Sequence, residues 1–161
     1  MKTIEQQQRT QAKTKILVVD DHPIVRQGLT QLIDHETDLT VTAQAETALI
    51  ALNVVDSRHI DLAIIDISLI GSDGIDLARE IKSRHPNIPI LMLTMHDEPL
   101  FAERAFLAGA QGYILKREAP GKIIDAIRII LDGKRYVTQE VAQKLSENNM
   151  WHDIDKESPS D

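Results

Sequence analysis

The chain has 161 residues, 42% of them hydrophobic, with two Phe, two Tyr and one Trp, so a core must be built from Ile, Leu, Val and Ala. Cysteine is absent, which excludes a disulfide scaffold, a thiolate metal site and a cysteine nucleophile. The formal charge of −7, from 25 acidic and 18 basic residues, disfavours a surface that grips nucleic-acid phosphates, and no apolar run approaches a membrane span.

Residues 1–14 (MKTIEQQQRTQAKT) are polar and Gln-rich, with nothing to bury, and read as a disordered leader that lacks the apolar stretch of a signal peptide. The expected location is the cytoplasm. Five short apolar runs follow, at 16–19 (ILVV), 39–43 (LTVTA), 62–67 (LAIIDI), 88–94 (IPILMLT) and 112–115 (GYIL). Each is too short for a buried helix, and their starts recur every 23 to 26 residues with a helix-length segment after each. Ile24, Val25, Leu29, Leu32 and Ile33 share one face of the first such segment, as do Ile123, Ile124, Ile127, Ile130 and Leu131 in the last. Pro23 and Pro120 suit first helical turns, and Gly133 suits a left-handed C-cap. The segment 97–108 is weakly amphipathic and reads as a mobile element. A short helix is expected near 138–145 with Thr138 as its N-cap, and the acidic stretch 146–161 as a solvated tail that leaves Trp151 without an assigned partner.

Five strands alternating with helices predict an α/β fold: a five-stranded parallel sheet, doubly wound, of flavodoxin-like order 2-1-3-4-5, with helices on both faces. Ligands of such sheets bind beyond the carboxyl ends of the strands where the order reverses. There the first strand ends in Asp20-Asp21, the third reaches Asp66, the fourth Thr94 and the fifth Lys116. Three converging acids call for a hard divalent cation, Mg²⁺ being the natural choice. A cation, a lysine and a hydroxyl around a carboxylate suit phosphoryl oxygens, and the carboxylate either holds metal or attacks phosphorus.

The set VVDD at 18–21, Asp66 with Gly74 eight residues on, LT at 93–94 and GAQGYILK at 109–116 resembles the receiver domain of bacterial two-component response regulators. DDHPIVRQGL, the GYILK ending and GKRYVTQEVAQKL are similar to the NarL/FixJ (LuxR-like) subfamily. The resemblance implies that Asp66 accepts a phosphoryl group from a sensor histidine kinase and that Asp20, Asp21, Asp66 and the Ser68 backbone carbonyl hold Mg²⁺. It implies further that Lys116 and Thr94 contact the phosphoryl group and that Thr94 and Tyr113 form the conformational switch. The output surface is expected over 97–132. The domain plan so read is a leader at 1–14, a receiver at 15–134, and at 135–161 a linker or C-terminal tail, with a helix-turn-helix output domain absent. DNA would be reached only through that missing domain. A homodimer through the first or last helix is a further implication, no membrane partner is expected, and the chain is classed as not an enzyme.

Several positions depart from the family pattern. Leu69 and Ile70 replace the usual Met-Pro, which should loosen the 67–73 loop, and Arg117 replaces the proline that commonly follows the lysine. Met95 is larger than usual and is expected to narrow access; Ser68 and His96 occupy positions that influence dephosphorylation in the family. His22, beside two acids, reads first as a residue preceding proline and second as a metal ligand. Two other functions compete: a degenerate receiver acting only as a protein-interaction module, opposed by the intact polar set, and a Mg²⁺-dependent aspartate phosphatase, whose DxD motif on the first strand is missing here.

Overall fold

The computed structural model describes residues 12–157. Residues 1–11 of the expected leader and 158–161 of the expected tail lie outside them. The first strand, β1 (Thr14–Val19), begins within the segment read as leader, its first amide donating to the Asp38 carbonyl at 2.9 Å. It pairs with β2 (Leu39–Ala45) on one side and β3 (Leu62–Asp66) on the other. Then follow β6 (Ile90–Thr94) and β7 (Gly112–Leu115), all parallel. Between β3 and β6 lies a separate antiparallel hairpin of β4 (Ser68–Leu69) and β5 (Ser72–Asp73). The main sheet has six strands, not five. The sixth, β8 (Tyr136–Val137), joins the edge beside β7 in the order β2-β1-β3-β6-β7-β8. Two residues make no hydrophobic run, so the sequence pattern could not separate this strand from a linker. The flavodoxin-like class is unchanged.

Crossovers of one hand divide the helices into two layers. On one face lie α1 (Pro23–Asp34) and α5 (Ala119–Leu131), packed on Ile16, Val18, Ile64 and Leu93. On the other lie α2 (Ala48–Ser57), α3 (Gly74–Arg84) and α4 (Pro99–Leu107), packed on Leu17, Val19, Ile65 and Met92. Alternate residues of each strand therefore feed opposite cores, which is why the strands are continuously apolar. Gly133 adopts φ +84° beyond α5, the left-handed conformation its position called for.

After β8 the chain forms α6 (Gln139–Glu147) and α7 (Trp151–Glu157). As far as Ile154 this segment is not a solvated tail. Val141, Leu145 and Ile154 are buried in the same cluster as Ala102, Ala105 and Phe106 of α4, with Trp151 packed beside them. The Trp151 indole N–H donates to Ser146 Oγ at 3.1 Å, and its ring lies 6.2 Å from that of Phe106. Thr138 stands at the N-cap of α6, yet its buried hydroxyl caps nothing. α4 is thus covered by the sheet on one side and by α6 and α7 on the other, so its apolar residues need not form a single stripe.

If this extension is core, Leu145→Ala should destabilise the protein by about 3 kcal/mol, as a buried leucine truncated in a packed interior does. The check is urea unfolding followed by far-UV circular dichroism, where the midpoint should fall.

Candidate functional site

The carboxyl ends of β1, β3, β6 and β7 meet at one rim, and the residues that follow them carry the polar groups. Asp20 is fully buried. Its amide donates to the Ala45 carbonyl at 3.0 Å, and Arg26, one turn into α1, donates to its carbonyl at 2.6 Å. Asp66 closes β3, is 2% exposed, and accepts from the Ser68 amide at 3.1 Å. Lys116 follows β7, its amide fixed by the Thr94 carbonyl at 2.7 Å. Its amine donates to Asp66 Oδ2 at 3.0 Å and lies 3.1 Å from Asp20 Oδ2. One cation therefore bridges two buried carboxylates.

Burial pushes the Asp66 carboxyl above its ordinary range; the hydrogen bond from Lys116 pulls it back, and the charge of Asp20 pushes it up again. For Lys116, burial acts to lower the amine, but the hydrogen bond to Asp66 and the close Asp20 carboxylate outweigh it and hold the amine above its ordinary range. A single amine does not satisfy three acids. Asp20 Oδ2 and Asp21 Oδ1 are buried without a well-directed donor, although the Lys116 amine and the His22 ring lie within ion-pair distance. Ligand atoms of Asp20, Asp21, His22 and Asp66 all fall within 4.8 Å of one another. Unmet carboxylate oxygens at this spacing fit a hard divalent cation.

His22, read first as a residue preceding proline, also faces two of the acids. Its Nδ1 lies 2.9 Å from Asp20 Oδ1 and 2.8 Å from Asp21 Oδ1. The adjacency in DDH was the available signal. Arg26 was missed; only its place one turn after His22 hinted at it.

Thr94 is buried at the same rim, but its hydroxyl accepts from the His96 amide at 2.9 Å and makes no hydrogen bond to Asp66 or Lys116 among the described residues. Tyr113 is fully buried and donates its hydroxyl to the His96 carbonyl at 2.5 Å. Burial pushes its phenol far above the ordinary value, against a smaller downward pull from Thr94. Thr94, His96 and Tyr113 thus form one linked group beside the acids, and the His96 ring stacks on Phe101 of α4 at 4.4 Å. Ser68 places its hydroxyl 3.4 Å from His96 Nε2. Met95 is 76% exposed and turned to solvent.

The expected loosening of the 67–73 loop is corrected. β4 and β5 zip it into a hairpin, the Ile67 amide donates to the Leu93 carbonyl at 3.0 Å, and the Ile70 amide donates to Asp21 Oδ2 at 3.1 Å. Backbone bonds do what proline would have done. Gly74 explains its own presence: a Cβ there would stand 2.0 Å from the Asp66 carbonyl oxygen. α3 approaches the end of β3 that closely, with the Gly74 amide donating to the Ile67 carbonyl at 2.7 Å. The peptide bond between Lys116 and Arg117 is trans. Larger clefts, of about 530 and 520 Å³, open at the opposite rim around Asp61 and His85. Two of their histidines are held in ion pairs, His85 with Asp56 at 2.7 Å and His59 with Asp61 at 2.6 Å.

Residues 16–128 match the response regulator receiver domain family, and the chain belongs to it. Within that class it is of the NarL/FixJ type, as its relatives show. It is 33% identical over 132 residues to the response regulator GacA of Pseudomonas syringae pv. syringae, covering 82% of this chain and 62% of the relative. With the response regulator UvrY of Escherichia coli K12 it shares 30% over 131 residues, 81% of this chain and 60% of that protein. The chain thus spans about three-fifths of the length of the curated relatives it matches. Among solved structures, a LuxR-family two-component response regulator from Aurantimonas sp. SI85-9A1 superposes with a TM-score of 0.82 at 36% identity, covering 86% of this chain and 99% of that one. The RcsB response regulator of Salmonella typhimurium gives 0.78 at 26% identity, covering 83% and 67%. Family membership also corrects the expectation that the chain is not an enzyme. The match is to a response regulator receiver domain, a class that the plain label of non-enzyme does not describe.

The raised Asp66 carboxyl sets the sign of a stability effect. From its ordinary value of 3.8 up to its raised value, the folded chain holds a proton that the unfolded chain releases, so stability falls as pH rises through that window. Above it, ionised Asp66 remains a standing cost in the metal-free protein. Asp66→Asn should therefore melt higher than the wild type at pH 7 in EDTA, with the gap closing on acidification. Differential scanning calorimetry between pH 4 and pH 7 checks this.

Proposed function

We propose that this chain is a phosphoacceptor receiver, taking a phosphoryl group from a sensor histidine kinase onto Asp66. The observation that carries the reading is the Lys116 amine held between Asp66 and Asp20 at the rim where the sheet order reverses. In the transfer, an Asp66 carboxylate oxygen forms a bond to phosphorus while the phosphorus–nitrogen bond of a phosphohistidine breaks. The electron pair leaves with the imidazole, which takes a proton from water. Asp66 supplies the nucleophile, the Ser68 amide on Oδ1 orients it, and Lys116 offsets charge on the phosphoryl oxygens.

Asp20, Asp21 and Asp66, with the Ser68 carbonyl, are the groups we assign to Mg²⁺; when bound, it would neutralise the acids and polarise the phosphoryl oxygens. Once the phosphoryl group is in place, Thr94 would give up the His96 amide to donate to it, and Tyr113, tied to His96, would follow. The resulting change in Thr94, Tyr113 and their loops is the signal. An RcsB receiver domain of Salmonella enterica determined with the phosphomimetic BeF₃⁻ superposes on this chain with a TM-score of 0.76 at 26% identity, which supports the reading.

On the same reading the protein works in the cytoplasm and controls transcription through a helix-turn-helix domain beyond the receiver, the DNA contact lying there. A homodimer through α1 and α5 is supported by an apolar cleft of about 220 Å³ lined by Val25, Leu29, Leu32 and Ala119, with Ile24 exposed at its mouth.

Incubation with acetyl phosphate and Mg²⁺ should add one acid-stable, base-labile phosphoryl group by intact-mass spectrometry. Asp66→Asn should take up none. Lys116→Ala should slow uptake by about 100-fold, the usual loss when one charge-stabilising group is removed. Asp21→Asn should raise the Mg²⁺ concentration needed for half-maximal uptake. A wild-type chain that remains unmodified, including with a competent kinase, would leave the protein-interaction module as the better reading.

A further inference from the structure

α6 is fastened to the two loops that leave the site. Lys144 Nζ lies 3.0 Å from Asp97 Oδ2, and Arg117 NH2 lies 2.6 Å from Glu140 Oε2. Arg117 also stands 4.0 Å from Asp97, and Lys144 3.9 Å from Glu140. The four residues close a ring of alternating charge. Two of them belong to α6. The other two are placed by the site: Asp97 three residues after Thr94, and Arg117 next to Lys116. The ring locks a pair of helices whose apolar side is the outer cover of α4, and Arg135 reinforces it. That guanidinium lies 5.1 Å from the Phe106 ring centroid, 5.6 Å from that of Trp151 and 3.0 Å from Asp155.

We propose that α6–α7 is a releasable latch on α4, locked by the ring of Asp97, Lys144, Glu140 and Arg117 and opened by phosphorylation. The inference rests on the reading of Asp66 as phosphoacceptor. A phosphoryl group carries its oxygens farther from β3 than the carboxylate does. Lys116, now shared between Asp20 and Asp66, must follow it and carries Arg117 along. Thr94, drawn to the same group, gives up the His96 amide and frees the turn that bears Asp97. Both core-side members of the ring are thus displaced by one event. Exposed ion pairs are individually weak, so such a ring can yield to small movements while the apolar contacts still make docking the resting state. Release would uncover Phe106 and the outer side of α4.

Trp151 is the sole tryptophan of the chain, so its emission reads the latch without a label. The full chain, treated with acetyl phosphate and Mg²⁺ and shown by mass to carry one phosphoryl group, should give red-shifted emission and faster hydrogen exchange over 139–156. The double variant Asp97→Asn, Arg117→Gln should exchange about fivefold faster there without any phosphodonor, as loss of two exposed pairs implies. Its β1 and β3 amides should keep wild-type protection, which separates release from unfolding. Phosphorylated protein with unchanged emission and exchange overturns the proposal, as does a double variant with unchanged exchange. A chain that takes up no phosphoryl group defeats the phosphoacceptor reading, and with it the phosphorylation trigger, while the lock itself is then decided by the double variant.

Discussion

The arrangement depends on one amine placed between two buried carboxylates. Asp20 and Asp66 end neighbouring strands of a parallel sheet, and removing two such charges from water is costly unless a counter-charge stands close by. Lys116 meets that need from a third loop, and its own backbone is set by the Thr94 carbonyl. The strand order β1-β3-β6-β7 is therefore tied at its functional rim by a side chain as well as by its ladders. Asp20 Oδ2 and Asp21 Oδ1, each within ion-pair distance of Lys116 or His22, accept no well-directed hydrogen bond, which leaves carboxylate capacity at this rim.

Around that contact the polar residues fall into two groups that differ in what they hold. Asp20, Asp21, His22, Asp66 and Lys116 face one another directly. Thr94, His96 and Tyr113 hold one another, and they connect outward to α4 through the stack of His96 on Phe101. The Lys116 amide on the Thr94 carbonyl and the Ser68 hydroxyl beside His96 join the two groups.

Much of this was legible in the sequence because it follows from two simple regularities. Strands buried on both faces must be uniformly apolar, and residues that end such strands must share a rim, which located Asp20, Asp66, Thr94 and Lys116 together. What escaped had weaker signatures. β8 is two residues long and owes its place to ladder bonds that any sequence could make. α6 and α7 bury Val141, Leu145 and Ile154, too sparse a set among acids and amides to distinguish a docked helix from a solvated one. α4 lost its stripe because it is covered on two sides. The turn of Thr94 toward His96 and the fastening of Ile70 to Asp21 are choices among rotamers and loop conformations, which no residue type dictates.

The close approach of Gly74 to β3 has a consequence for how such a chain can vary. With only a hydrogen between the helix and the Asp66 carbonyl oxygen, that position admits no side chain unless the end of the strand moves. At Gly28 and Gly121, by contrast, an added methyl group would meet nothing within 4 Å. Within the chain, therefore, sterics leave Gly28 and Gly121 open to substitution and freeze the position where α3 begins. A single missing carbon atom thus sets the distance between a helix and the acid at the centre of the site.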